Sequence, residues 1–105
     1  MNKLNQDILY TIKKIITCNN LDELQEYYNH LQTSDKQINY DYIFQQSYIH
    51  SCLLHRTKII GWLTELFNKF DPIIQIALKH VFTYGKYLQN KKNPYLDDNL
   101  RYIKN

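Results

Sequence analysis

An all-α fold is what this sequence predicts, on three observations. Apolar residues recur at three- and four-residue spacings along most of the chain, strand alternation is absent, and two glycines and two prolines in 105 residues are too few to punctuate several β-hairpins. Isoleucine is abundant and β-branched, so helix propensity alone would not decide the matter, but the periodicity does. One domain is expected over residues 1–105, with 93–105 a C-terminal capping helix or tail.

The first helix carries Ile8, Leu9, Ile12, Ile15 and Ile16 on one stripe, behind Asn5 as N-cap. Asn19-Asn20 breaks it and caps a second, in which Leu21, Leu24, Tyr28 and Leu31 share a face and Asp22 and Glu23 suit the positive helix start. Residues 33–37 are polar and aperiodic, a loop. A third helix over 41–54 turns Ile43, Phe44, Tyr48 and Cys52 inward, with Leu53 at the margin. His55-Arg56-Thr57 reads as a tight turn with Thr57 as cap, and the fourth helix presents Ile59, Ile60, Leu63, Leu66 and Phe67. Asp71-Pro72 marks the next start sharply, since aspartate accepts first-turn amides and proline at the first helical position loses no bond. A fifth helix is expected over 72–80, a sixth over 82–89, and a last short one over 96–103 behind Asn93-Pro94.

Helices of roughly 8–14 residues, joined alternately by tight turns and longer connections, read as antiparallel pairs stacked in sequence, a small solenoid rather than a four-helix bundle. A compact orthogonal helical bundle fits the same periodicity equally well.

Composition narrows the setting. Isoleucine (13), asparagine (11), lysine (11) and tyrosine (10) dominate, while alanine, glycine, proline and arginine are scarce, which is the codon imprint of an A/T-rich genome. The longest apolar passage, 72–78, is interrupted by Gln75, far short of the roughly 18 residues of a membrane span. Residues 1–7 do not read as a secretory signal, so Cys18 and Cys52 are expected reduced, in an intracellular, reducing compartment. Net charge is +3, unevenly placed: −2 over residues 1–53, +5 over 54–92 and zero over 93–105.

The passage 47–66 resembles a divergent ankyrin repeat of the kind common in large DNA viruses. Ser51-Cys52 falls on its small-residue step, Leu54-His55-Arg56 on its turn, and Ile59-Ile60-Gly61-Trp62-Leu63 on its second helix. Weaker echoes lie at 16–24 and 76–88. Anchoring on Leu21, Thr57 and Phe82 gives spacings of 36 and 25 residues, against an ankyrin period of about 33. The Thr-Pro-Leu-His opening and the turn glycine are missing. The resemblance implies a protein-binding scaffold, in a viral or phage setting an accessory factor acting on a host protein, and no catalysis.

Read residue by residue, no enzyme is expected. Cys52 and His55 stand three apart, but no second ligand pair accompanies them for zinc and no orienting group for nucleophilic catalysis. Two glycines cannot build a phosphate loop. No metal or cofactor is expected. Trp62 reads as core. The partner-binding candidates are Arg56, Lys58, Lys79, Tyr84, Lys86, Tyr87, Lys91 and Lys92, because tyrosine and lysine interleave there as nowhere else. A protein partner leads; a basic nucleic-acid-associated protein or a self-associating structural or virion component is the alternative; no membrane is expected, and a symmetric dimer would close through Ile8, Ile12 and Ile15 or through Phe82 and Tyr87.

Overall fold

A computed structural model describes residues 3–33 and 37–91. Within them the chain is helical without strands: α1 (Lys3–Thr17), α2 (Leu21–Gln32), α3 (Tyr40–Leu53), α4 (Thr57–Asn68), α5 (Pro72–Ala77) and α6 (Lys79–Asn90). The helix expected at 96–103 lies outside the described residues, as does Lys92.

Two turns of the same build, 36 residues apart, set the layout. Asn19 and His55 both take φ of 56°, the left-handed conformation that asparagine and histidine tolerate better than most side chains. Asn19 N–H donates to Ile16 O (2.9 Å) and Asn20 N–H to Ile15 O (3.3 Å); His55 N–H donates to Cys52 O (3.2 Å) and Arg56 N–H to Ser51 O (2.9 Å). Each is a Schellman ending that reverses the chain into an antiparallel helix. The results are two hairpins, α1–α2 and α3–α4.

Caps fix the helix starts. Asn20 Oδ1 accepts from Glu23 N–H (3.1 Å) while Asn20 Nδ2 donates to Glu23 Oε2 (3.1 Å), so cap and third residue hold each other. Asp71 Oδ1 accepts from Ile73 N–H (3.0 Å) ahead of Pro72, as the sequence indicates. Two expected caps are corrected. Asn5 is the third residue of α1 and buried; its Oδ1 accepts from Asn39 N–H (3.0 Å), so it joins α1 to the start of α3 instead. Thr57 is already helical, Arg56 stands in the cap position, and no side chain caps α4. Asn39 caps α3, accepting from Tyr42 N–H (3.2 Å).

Helices α5 and α6 also differ from expectation. α5 stops at Ala77 and α6 begins at Lys79, three residues before Phe82. The chain bends at Leu78 (φ −98°, ψ 3°), which is only 3% exposed. No glycine or proline marks this bend; burial of one leucine between two helix directions makes it.

Parallel contacts place α1, α3 and α6 in one row. Asn5 meets Asn39 near the helix starts and Thr17 meets His50 near the ends of α1 and α3. Phe82 meets Phe44, and Gln89 Nε2 donates to Cys52 Sγ (3.4 Å), along α3 and α6. Across the row, Tyr28 of α2 meets the edge of Trp62 of α4 at 5.3 Å between ring centroids. Trp62 is half-buried there, at the margin of the core.

Helix α3 is buried on more than one side. Ile43, Phe44, Ser47, Tyr48, Ser51 and Cys52 are all enclosed, against α1, α4 and α6. Phe44 alone touches Phe67, Phe70 and Phe82 at centroid distances of 6.1, 5.0 and 6.2 Å. The two buried serines stay satisfied: Ser47 Oγ donates to Ile43 O (2.6 Å) and accepts from Tyr28 Oη (2.7 Å), and Ser51 Oγ donates to Ser47 O (2.7 Å).

Gly85 sets how α6 seats on α3. A Cβ at this position would overlap the Tyr48 ring and lie 3.0 Å from Cys52 Sγ. Tyr48 cannot swing away, because Phe44 and Phe82 stack around it at 6.2 and 4.3 Å. Gly61 is the opposite case, exposed on α4 with nothing within 4 Å of a Cβ. Gly85→Ala should therefore cost about 1–3 kcal/mol despite alanine's better helix propensity. Gly61→Ala should stabilise by about 0.5–1 kcal/mol. Urea melts of the two variants check this; equal and favourable effects would contradict the close seating of α6.

Candidate macromolecule-binding face

The rotation of α6 decides what it shows to solvent. With Gly85 against Tyr48, Val81 and Leu88 turn inward with it. At 3.6 residues per turn, the two flanks then carry different side chains. One flank has His80, Tyr84, Tyr87 and Lys91; the other has Lys79, Phe82, Lys86 and Gln89. Tyr84 and Tyr87 are 48% and 55% exposed and lie stacked, with centroids 6.1 Å apart and planes at 18°. Lys91 Nζ sits 5.6 Å from the Tyr87 ring centroid, a cation over a π-face. Residues 72–91 contain Lys79, Lys86 and Lys91 and not one Asp or Glu.

The expected site residues therefore divide. Tyr84, Tyr87 and Lys91 come together. Lys86 and Lys79 are exposed on the other flank, where Lys79 lines a groove with Phe67, Pro72, Gln75, Ile76 and Phe82. Lys58 is exposed in the first turn of α4, on a separate helix. Arg56 has structural work: its Nη2 donates to Thr17 O (2.6 Å) and its Nε to Ile16 O (3.3 Å). These are carbonyls at the negative end of α1, where a cation is favoured. The dimer surface expected on α1 is also corrected, since Ile8, Ile12 and Ile15 are at most 5% exposed and pack inside the hairpin stack.

His50 completes the lock at the end of α1. The Thr17 hydroxyl donates to Lys13 O (2.8 Å), so at 3.0 Å it accepts from His50 Nε2–H. Burial, and then the charges of Lys13 and Arg56, hold the His50 imidazole below its usual pKa, outweighing the Lys13 carbonyl that favours the charged form. The sequence gives no sign of this role, because it depends on a contact across 33 positions.

The cysteines and the clefts have these surroundings among the described residues. Cys52 is buried and its thiol is pushed up to about 11, chiefly by burial, so it stays protonated. Both cysteines are free, Cys18 exposed and Cys52 buried. No three His, Cys, Asp or Glu side chains among the described residues could share a metal ion. A cleft of about 280 Å³ between Tyr28, Gln32, Tyr40, Phe44, Leu66 and Phe70 is lined by apolar and uncharged groups only. No described helix is long and apolar enough to cross a membrane. Compared with known proteins, the chain matches no family model, and no curated protein or solved structure matches it.

The His50 lock has a pH signature. A pKa lower in the fold than in the unfolded chain (about 6.5) means that the unfolded state binds the proton more readily. Its stabilisation is full above about pH 6.5 and is lost as pH falls through the folded value. His50→Gln keeps a donor for Thr17 but cannot titrate. Between about pH 7.5 and 5.5 its Tm should fall less than that of the unaltered protein. Identical falls would show that His50 protonation is not coupled to folding.

Proposed function

We propose that this protein is a small helical protein-binding module, a short ankyrin-like stack of hairpins that presents the Tyr84–Tyr87–Lys91 flank of α6 to an acidic protein partner. The observation that carries the reading is the stacked, half-exposed tyrosine pair beside a lysine, on an edge with no acidic residue from 72 to 91. Tyrosine supplies large contact area at little conformational cost and is enriched at binding hot spots. The stack is supported by two Schellman turns at a 36-residue spacing and by parallel packing of α1 on α3.

A second reading rests on the same pair. Stacked aromatics with a neighbouring cation can hold the bases of a single-stranded nucleic acid. Salt separates the two. Phosphate contacts lose affinity steeply with ionic strength, whereas an interface anchored by tyrosine does not.

The test is affinity capture from host-cell extract, with and without nuclease treatment, at low and raised salt, using the protein and its Tyr84→Ala/Tyr87→Ala variant. A protein retained at both salts by the unaltered chain and lost with the variant is the expected result. Retention by both chains would remove α6 from the interface. Capture abolished by nuclease would favour nucleic acid.

A further inference from the structure

We infer that the cleft between α2, α3 and α4 is a binding site for a small, uncharged, planar aromatic molecule. The cleft measures about 280 Å³. Tyr28 and Gln32 of α2, Tyr40 and Phe44 of α3, Leu66 of α4 and Phe70 just after it form the lining. None of these residues belongs to the Tyr84–Tyr87 flank, so the site goes beyond the proposed partner face and does not depend on it.

The cleft begins where the contact between the outer helices ends. α2 and α4 meet through Tyr28 and Trp62. One turn further along each helix stand Gln32 and Leu66, which line the space and leave it open. Tyr28 and Phe44 are 5% and 1% exposed, whereas Gln32 and Tyr40 are exposed, so the cleft runs from the core to water.

Its walls are held in place from behind. The Tyr28 hydroxyl donates to Ser47 Oγ (2.7 Å), and the Tyr40 hydroxyl donates to the Leu31 carbonyl. Phe44 is flanked by the rings of Tyr48, Phe67, Phe70 and Phe82. Rings anchored in this way do not swing into the space. The site is therefore formed before a ligand arrives, and little ordering opposes binding.

The lining chemistry selects the ligand. No lining residue is charged, so a charged molecule would lose its water without gaining a counter-charge. Four aromatic rings offer faces and edges to a flat ring, which they favour over an aliphatic one of the same size. Both tyrosine hydroxyls already have acceptors, which leaves the Gln32 carboxamide to pair with one polar edge of the ligand. An apolar cavity of roughly 150 Å³ holds benzene. The larger space here admits a ring with a short polar substituent.

The experiment titrates the full chain with three probes of similar size, read by amide NMR shifts. Benzamide is uncharged and planar, benzoate is planar and charged, and cyclohexanecarboxamide is uncharged without a flat ring. Benzamide should saturate shifts at the end of α2, the start of α3 and around Leu66 and Phe70. The other two should bind at least about tenfold more weakly. Gln32→Leu, at an exposed position, should weaken benzamide at least about threefold and leave toluene binding unchanged. Leu66→Trp should fill the cleft and abolish the shifts while the spectrum of α3 is retained. No saturable shifts with benzamide, equal binding of the three probes, or shifts centred elsewhere would overturn the inference. So would undiminished benzamide binding to a folded Leu66→Trp variant.

Discussion

The contact of Gly85 with Tyr48 and Cys52 is the constraint on which the arrangement rests. It lets α6 approach α3 closely enough for Phe82 to join Phe44, Tyr48 and Phe67 in one aromatic cluster. The same contact fixes the rotation of α6, and rotation decides which residues face water. Tyr84 and Tyr87, three residues apart on α6, share one flank, and the inward turn of Gly85 leaves that flank facing water. Core packing and the make-up of the exposed flank are therefore two readings of one geometric fact.

Polar joints do for the other side of α3 what the glycine does for this one. Asn5 to Asn39, Tyr28 to Ser47, Tyr40 to the Leu31 carbonyl, His50 to Thr17, and Arg56 to the last carbonyls of α1 tie the first hairpin to the second. Apolar burial of roughly 1.5–3 kcal/mol per large side chain supplies most of the stabilisation, but it is not directional. A hydrogen bond contributes less on balance but is directional, so the joints from Asn5, Thr17 and Tyr28 favour one register of the first hairpin on α3. That explains why two serines sit in α3, a helix enclosed by α1, α4 and α6. Their small side chains permit close approach, and their hydroxyls are satisfied locally.

Much of this was legible in the sequence where the physics is local. The inner faces of α1, α2 and α4, the Asn19-Asn20 break after α1, and the Asp71-Pro72 start all follow from periodicity and capping chemistry. What escaped depends on distant partners. Asn5 has the sequence look of a cap, but it is one member of a joint to Asn39, 34 positions away. Arg56 reads as free charge until the α1 carbonyls are seen beside it. α3 lacks a clean stripe because it is covered on several sides, and Leu78 bends the chain without any breaker residue. For the candidate face, sequence found the tyrosines and lysines but grouped Lys86 with them; only the inward turn of Gly85 shows that Lys86 belongs to the opposite flank.

The claim that α3 is the shared core of both neighbours is most directly met by native-state hydrogen exchange. Local opening should release amides wherever few apolar contacts hold them, and only global unfolding should release a helix enclosed by α1, α4 and α6. The account predicts that α3 amides, from about Ser47 to Cys52, exchange slowest and with the free energy of complete unfolding. Those of α5, which buries no residue, should exchange fastest among the helices. If α3 amides exchanged as readily as those of α5, or if the α1–α2 hairpin stayed protected after α3 had opened, α3 would not be the element on which the rest is assembled.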